Sequence, residues 1–600
     1  MKIIADMVFE TSWEICNKCG GIYTVVTSKV PLMQSHYDTY VLIGPLFDEL
    51  PLDFIEQRPP EPFAKVFAQL AQRGIRCVYG TWDILGSPNT VLIDARSLGV
   101  EIDFLRTKLY DKFGVESLNS SGDFNEPLIW SIGVGMFLEG IESEFSNKKI
   151  IGHFHEWLAG FALLHLKSVN SKIATVFTTH ATMLGRSMAS RGKDAYASLN
   201  EIDPRKLAQE IGILEKFTTE RACALNSTVF TTVSDITARE AKTIFGREPR
   251  VLPNGLPIDL YPTFEQTSND HKLSKNKLKD FTMGHFFPYQ TFDLDETLFY
   301  YTSGRYEFEN KGFDITIDAL GKLNQQMKDE VSKKTIVMFF FLAMDSRGPK
   351  RELLENKMHL EDLQDDIREK EDYFNQQIIL DVIMGDKTSV DVVPPEFLSS
   401  QRRKFRSLRR LGNPTICTHN LHGSEDNDPI VSNCHRVGLL NRDEDRVKVV
   451  FVPAYLHGQD GLLNMEYYEA IVGCHLGIFP SYYEPWGYTP LESIAYGVPA
   501  ITSSTSGFAQ FVKDKVVNKN KGLYVVDRSK SREEEVNQLF NFLREFDENN
   551  VSSRVSCKIN AHSLASFADW RQLLRFYICA HNEALGSGCS SAERRIIEDE

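Results

Sequence analysis

Along the first 262 residues, short apolar or β-branched runs alternate with longer segments whose apolar residues recur every three or four positions. Runs of four to eight residues bounded by turn formers read as buried strands, and segments of the second kind read as helices. The spacing predicts strands over residues 2–9, 40–44, 77–80, 90–94, 150–155, 175–179 and 229–234, most of them followed by a helix. Strand and helix in regular alternation predict an α/β chain with a doubly wound parallel sheet. Lys18-Cys19-Gly20-Gly21 opens a helix through Tyr23, Val26 and Val30, Ser234 caps a helix over 235–244, and the turn-rich 251–257 closes a first domain at 262. A second sheet opens with LFYYTS at 298–303, followed by a helix over 313–323. Residues 325–412 interrupt the alternation as a helical insertion, with Leu360, Leu363 and Ile367 on one face. From 447 it resumes, with strands at 449–453, 476–479, 499–502 and 523–527 and a helix over 467–472. The second domain spans 263–569, and a C-terminal helix over 570–600, with Trp570, Leu573, Leu574 and Tyr577 on one face, packs back to complete the first domain.

Size and charge narrow the function. Six hundred residues exceed one hydrophobic core, in agreement with two domains. A net charge of −15 without a compensating basic run argues against nucleic acid and anionic membrane as partners. The basic segment RRKFRSLRR at 402–410 is matched by acidic residues between Glu361 and Asp372, so pairing within the insertion is expected, and an insertion of this size suits assembly. The N-terminal apolar run is broken by Asp6 and is too short for a signal peptide, and no window reaches the length of a membrane span. Ten scattered cysteines fit reduced thiols in the cytosol, and the lone Cys16-x-x-Cys19 pair lacks the further ligands of a zinc site.

The candidate chemistry centres on FPSYYEPWGYTPLE, residues 479–492. A strand end meets a helix start there, with Thr489 as N-cap, Pro490 at the first helical position and Glu492 closing a capping box. The free N–H groups and dipole of that helix would hold a phosphate at Gly487, Tyr488 and Thr489, leaving Glu484 beside whatever the phosphate carries. Lys18 before Gly20 and Gly21 makes a second phosphate-approach turn. Ligands of open parallel sheets bind outside the carboxyl ends of the strands, where Glu156, His180 and Arg186 fall. Arg305 and Lys311, on the loop after the strand at 298–303, would clamp a diphosphate, the arginine bidentately and the lysine as a point charge. Read as structure alone, Glu492 caps a helix, His180 is a core imidazole, and the two cations are solvated.

Five segments decide between these readings: KCGGIYTVV, HFHEWLAG, TTHATMLGR, GRYEFENKG and FPSYYEPWGYTPLE. In this order and at these separations the chain resembles the eukaryotic-type glycogen (starch) synthases that use UDP-glucose. The resemblance implies a GT-B fold, two Rossmann-like domains facing a cleft, and transfer of glucose with retention onto the 4-hydroxyl end of an α-1,4-glucan. It implies no metal and no cofactor, with UDP-glucose as donor substrate. Carried over, Arg305 and Lys311 hold the diphosphate, Glu492 bonds ribose, His180 and Glu484 contact the transferred glucose, and Glu156 and Arg186 line the cleft. Lys18, Gly20, Gly21, Trp486, Gly487, Tyr488 and Thr489 complete the donor site. Glycogen as acceptor, a glycogenin-like primer protein, a homo-oligomer (a tetramer by resemblance) and a cytoplasmic location are likewise implied. Regulated relatives carry an arginine cluster where 551–568 here keeps only Arg554 and Lys558, so activity without an effector and little change with glucose 6-phosphate are expected. The alternatives are a sucrose- or trehalose-forming transferase of the same fold and an inactive glycogen-binding scaffold.

Overall fold

The computed structural model describes residues 3–118, 120, 122–191, 203–384, 393–515 and 521–587. Within it the apolar runs pair into two sheets. The first takes β1 (Met7–Thr11), β2 (Thr39–Pro45), β3 (Phe54–Glu56), β4 (Arg76–Trp82), β5 (Asn89–Asp94), β6 (Ile150–His155), β7 (Ala174–Thr179), β8 (Val229–Thr232) and β9 (Arg250–Val251). Their order is β3-β4-β5-β2-β1-β6-β7-β8-β9. The second takes β10 (Thr297–Gly304), β11 (Thr335–Leu342), β12 (Val447–Val452), β13 (Leu476–Ile478), β14 (Ala500–Ser503) and β15 (Leu523–Val526) in the order β12-β11-β10-β13-β14-β15. That sheet is parallel throughout.

Two expectations about the strands are corrected. The first sheet is not wholly parallel, because β4 pairs antiparallel with both β3 and β5. The link from β4 to β5 covers only residues 83–88, too short for the crossover of a dozen or more residues that a parallel neighbour needs. Residues 335–342, assigned to the helical insertion, form β11 in the interior of the second sheet, every residue buried. A strand covered on both faces has no polar alternation, so TIVMFFFL shows no period by which to identify it. The insertion proper is the helices Arg351–Arg368, Glu371–Met384 and Pro395–Ser407. Its acidic and basic segments do pair, Lys404 with Asp366, while Arg410 reaches Glu355 at 3.1 Å.

The helix Trp570–Ala584 follows the second sheet in the chain but packs on the first, against β7, β8 and the helix Gly21–His36. Asp569 caps it by accepting the Arg571 N–H at 2.8 Å. The Trp570 N–H donates to the Leu256 carbonyl at 3.1 Å, and its indole Nε1–H donates to Ser28 Oγ at 2.7 Å. Residues 588–600, which the sequence reading joined to this helix, lie outside the described residues, as does Cys589. Cys579 on the helix is disulfide-bonded, an exception to the expectation of reduced thiols, whereas Cys16, Cys19, Cys77, Cys223, Cys417, Cys434, Cys474 and Cys557 are free. No helix among the described residues is long and apolar enough to cross a membrane.

Trp570 is fully buried and fixes the return of the chain onto the first sheet. Replacing it by alanine leaves a cavity and removes the indole donor from Ser28 Oγ, and Trp570→Ala is expected to lower stability by about 3–5 kcal/mol, read as a lowered urea midpoint of the first unfolding transition.

Candidate functional site

Each sheet has a point where neighbouring strands lead into connections on opposite sides, between β1 and β6 in the first and between β10 and β13 in the second. A crevice opens at the carboxyl ends there. After β1, Glu14 Oε2 accepts the Tyr23 N–H at 2.7 Å and draws the glycine turn inward. A Cβ on Gly20 would lie 2.9 Å from Glu14 Oε1, so a side chain there would displace the Glu14 carboxylate, while its φ of −162° is ordinary extended backbone. Lys18 is exposed, with its Nζ 5.5 Å from the Tyr23 ring centroid.

Glu156 begins the helix Glu156–Ser168, one residue earlier than the sequence suggests, with φ +63°. For a side chain other than glycine this left-handed conformation costs energy that the surroundings must offset. Here Glu156 Oε1 accepts the N–H groups of His180 at 2.9 Å and Ala181 at 3.2 Å, and burial raises the pKa of its carboxyl. His180 follows β7 and is buried, and Arg186 is exposed on the helix Met183–Ala189. Two buried glutamates unmarked by any motif support this helix start. Glu220 Oε2 accepts the Met183 N–H at 2.9 Å, and Glu240 accepts the Thr182 hydroxyl.

In the second sheet, β10 ends at Gly304 with φ +151°, and the loop carrying Arg305 and Lys311 closes at Gly312 with φ +69°. A Cβ on Gly312 would lie 2.3 Å from the Pro480 carbonyl, so the loop seats against the segment after β13 only because glycine is there. The Tyr482 N–H donates to the Asn310 carbonyl at 2.7 Å, tying the two loops together. Lys311 Nζ pairs with Glu484 Oε2 at 2.7 Å, and Ser481 Oγ donates to the same oxygen at 3.2 Å. Arg305 is mostly exposed, with Glu307 3.3 Å away.

The expected cap is corrected. The helix is Tyr488–Ala495, its N-cap is Gly487 at φ +111°, and Thr489 lies inside the first turn. Left-handed backbone, accessible to glycine, starts the helix earlier than the Thr489-Pro490 pattern implies, and proline is tolerated in a first turn whose N–H groups lack intrahelical partners. Glu492 therefore closes no capping box; it is buried, accepts the Tyr468 hydroxyl at 3.1 Å, and burial pushes its pKa up to about 7. Trp486 faces the core against Phe508 and Phe511.

The two sets of loops face each other. Tyr483 Oη donates to Glu240 Oε1 at 3.0 Å and Tyr488 Oη to the Gly255 carbonyl at 3.2 Å. A Cβ on Gly21 would come within 3.9 Å of the Tyr488 ring, and Lys18 acts electrostatically on Glu492. Arg186 of the first sheet and Arg305 of the second both act on the carboxylates of Glu14 and Glu307, and Lys311 on Glu307 as well. Three cations from two sheets thus converge on one region of the crevice. Such an arrangement stabilises negative charge developing on a bound phosphate.

Beneath this surface, Glu10, His153 and His155 bring together donor atoms of the kind that ligate metals. The Lys29 ammonium already pairs with Glu10 there, and His153 spends its nitrogens on Thr178 at 2.7 Å and His581 at 3.2 Å. Away from the crevice, Arg554 and Lys558, the two cations counted in 551–568, lie beside groups from other parts of the chain. Lys275, His271 and His475, from other elements, surround Arg554 and Lys558, and His271 and His475 stand with ring centroids 5.1 Å apart. Lys558 has no carboxylate partner among the described residues, and burial beside like charges pushes its pKa down to about 7.

A family model described as glycogen synthase matches residues 10–592. The chain is 35% identical to glycogen [starch] synthase isoform 2 of Saccharomyces cerevisiae, covering 99% of this chain and 88% of that one. It is 36% identical to the liver glycogen [starch] synthase of Mus musculus, covering 95% and 82%. Among solved structures, the catalytic domain of starch synthase IV from Arabidopsis thaliana bound to ADP and acarbose superposes with a TM-score of 0.50 at 12% identity, covering 98% and 100%. That likeness shows the fold, GT-B, with two Rossmann-like domains.

Two outcomes are expected. Because the folded pKa of Glu492 lies above its ordinary value, the protonated form favours folding, and that contribution is lost as pH rises from about 4.5 through about 7. Glu492→Gln should therefore be more stable than wild type at pH 8 and equal to it at pH 4, by thermal melts. Inorganic phosphate near Lys558 would relieve repulsion among Lys275, Arg554 and Lys558, so at millimolar concentrations the rise in Tm of wild type should exceed that of Lys558→Met.

Proposed function

Since this chain belongs to the glycogen synthase family, we propose that its crevice transfers glucose from UDP-glucose, with retention, to the 4-hydroxyl at the non-reducing end of an α-1,4-glucan. The observation that carries this reading is the convergence of Arg186, Arg305 and Lys311 from two sheets. As the bond between the anomeric carbon and the diphosphate breaks, negative charge collects on the phosphate and positive charge on the sugar. Fixed cations and the N–H groups opening the helix Tyr488–Ala495 stabilise the first without a metal. In this reading Lys311 exchanges Glu484 for phosphate, and Glu484 turns to the sugar hydroxyls together with His180. Glu492 takes the ribose, Lys18 with the glycine turn covers the nucleotide from the first domain, and Glu156 shapes the acceptor side. Retention follows when the acceptor hydroxyl attacks from the face the phosphate leaves and passes its proton to a phosphate oxygen. A glycogenin-like protein would supply the primer in the cytoplasm. The insertion, exposing Ile379, Val382 and Ile383, would join copies of the chain.

Arg305→Ala and Lys311→Ala are each expected to lower kcat by about 100- to 1,000-fold with unchanged melting temperatures. Incorporation of labelled glucose into glycogen, measured with UDP- and ADP-glucose in parallel and with monosaccharide acceptors as controls, tests the reading. Incorporation into the monosaccharides alone would replace it with a disaccharide-forming activity.

A further inference from the structure

A buried chain of hydrogen bonds runs from the helix Gly21–His36 to the crevice. Lys29 pairs with Glu10 Oε1, and Tyr40 Oη donates to Glu10 Oε2, all three residues being buried. His155 Nε2 lies 2.6 Å from Glu10 Oε1, and His155 Nδ1 lies 2.9 Å from His180 Nε2. These contacts determine where the ring protons reside. The Lys29 ammonium holds the Glu10 carboxyl well below the usual carboxylate range, so Glu10 is an acceptor only. His155 must therefore donate through Nε2–H. Burial disfavours a second proton on its ring, which leaves Nδ1 as a lone pair and requires His180 to donate through Nε2–H. His180 is also kept neutral, by burial and by the positive charges of Lys29 and Arg186, so its Nδ1 carries no hydrogen. That nitrogen has no partner among the described residues and is not sealed from solvent.

We infer that Lys29, Glu10 and His155 are positioning residues that hold His180 as its Nε2–H tautomer, presenting Nδ1 to the crevice as an acceptor for a hydroxyl of the transferred sugar. The inference rests on the function proposed above and adds to it the direction of one hydrogen bond. The sugar must donate and the protein accept, so a hexose bearing a methyl ether or a deoxy position at that hydroxyl is rejected. An uncharged imidazole also adds no positive charge beside a sugar that is itself becoming positive. The neighbouring His153 does not share in this chain, since the Thr231 hydroxyl donates to the Phe177 carbonyl at 3.0 Å and so leaves Thr178 to donate to Thr231 and His153 Nε2–H to donate to Thr178.

The test uses the full chain labelled with 15N-histidine. In wild type the His180 signals, identified by their loss in His180→Gln, should show a protonated Nε2 and an unprotonated Nδ1 at neutral pH. His155→Leu should mix the tautomers and lower kcat with UDP-glucose by about 10- to 100-fold, as loss of an orienting partner does at metal-bound histidines, while UDP, which lacks the hexose, binds as in wild type. His155→Gln should restore most of the rate, because its amide can accept from His180 and donate to Glu10. If His155→Leu does not fold, the paired exchange Lys29→Met with Glu10→Leu, which removes both buried charges and the acceptor of His155 Nε2–H together, should show the same mixing and loss of rate. A His180 protonated on Nδ1 in wild type, or undiminished turnover in a folded variant with mixed tautomers, overturns the inference. Absence of glucosyl transfer by wild type would instead overturn the proposed function, and the 15N spectrum would still report on the tautomer.

Discussion

The buried ion pair between Lys29 and Glu10 ties several elements together beneath the crevice. Lys29 comes from the helix that the glycine turn opens, and Glu10 from β1 at the centre of the first sheet. Tyr40 of β2 and His155 of β6 bond the same carboxylate, and the Tyr577 ring of the last helix lies 4.7 Å from the ammonium. Two charges sealed from water are costly, and removing one alone leaves the other unpaired at about 3–5 kcal/mol. Such a pair is weak evidence for stability but defines where several elements must stand. The turn at Gly20 and Gly21, the end of β6 and the C-terminal helix all inherit their positions from it, and so does His180.

From that fixed point outward, the crevice is shaped by backbone that most residues avoid. Glu156, Gly312 and Gly487 adopt positive φ at three strand-to-helix connections that face the site. At Glu156 the helix follows β6 directly, whereas Gly312 and Gly487 close the loops 305–312 and 479–487 and set the entry into their helices. The strained residue, Glu156, is repaid locally through two backbone donors from the next connection, which couples the position of His180 to the conformation of Glu156.

This explains which parts of the chain were legible in its sequence. Strands such as 150–155 and 476–478, and the helix capped by Ser234, announce themselves through local pattern, and site residues at strand ends follow from the rule that ligands gather there. β11 escaped because complete burial erases periodicity, and the antiparallel edge escaped because pairing direction depends on the length of a link rather than on the strand itself. Glu10, Glu14, Glu220 and Glu240 carry no motif; Glu14 bonds the nearby helix start, while the other three act through atoms far away in sequence, as Glu10 does on His155, and only the folded chain brings them together. The same holds for Lys275, which comes from a separate helix to stand beside Arg554 and Lys558.

The pairing of Lys311 with Glu484 raises a question of balance between binding and chemistry. The two side chains are only partly buried, so their 2.7 Å contact is an ion pair of modest strength that a phosphate can replace. A diphosphate offers Lys311 more negative charge than one carboxylate, so the exchange is favourable. Glu484 does not become an isolated charge when released, because Ser481 Oγ still donates to it and the sugar supplies hydroxyl donors. The exchange also determines where negative charge lies during reaction. In the proposed reaction, Lys311 on the phosphate would leave Glu484 as the anion beside the sugar, to stabilise the positive charge growing there while the cation stabilises the leaving group. One ion pair would thus separate, as the donor binds, into the two opposite charges that the breaking bond requires.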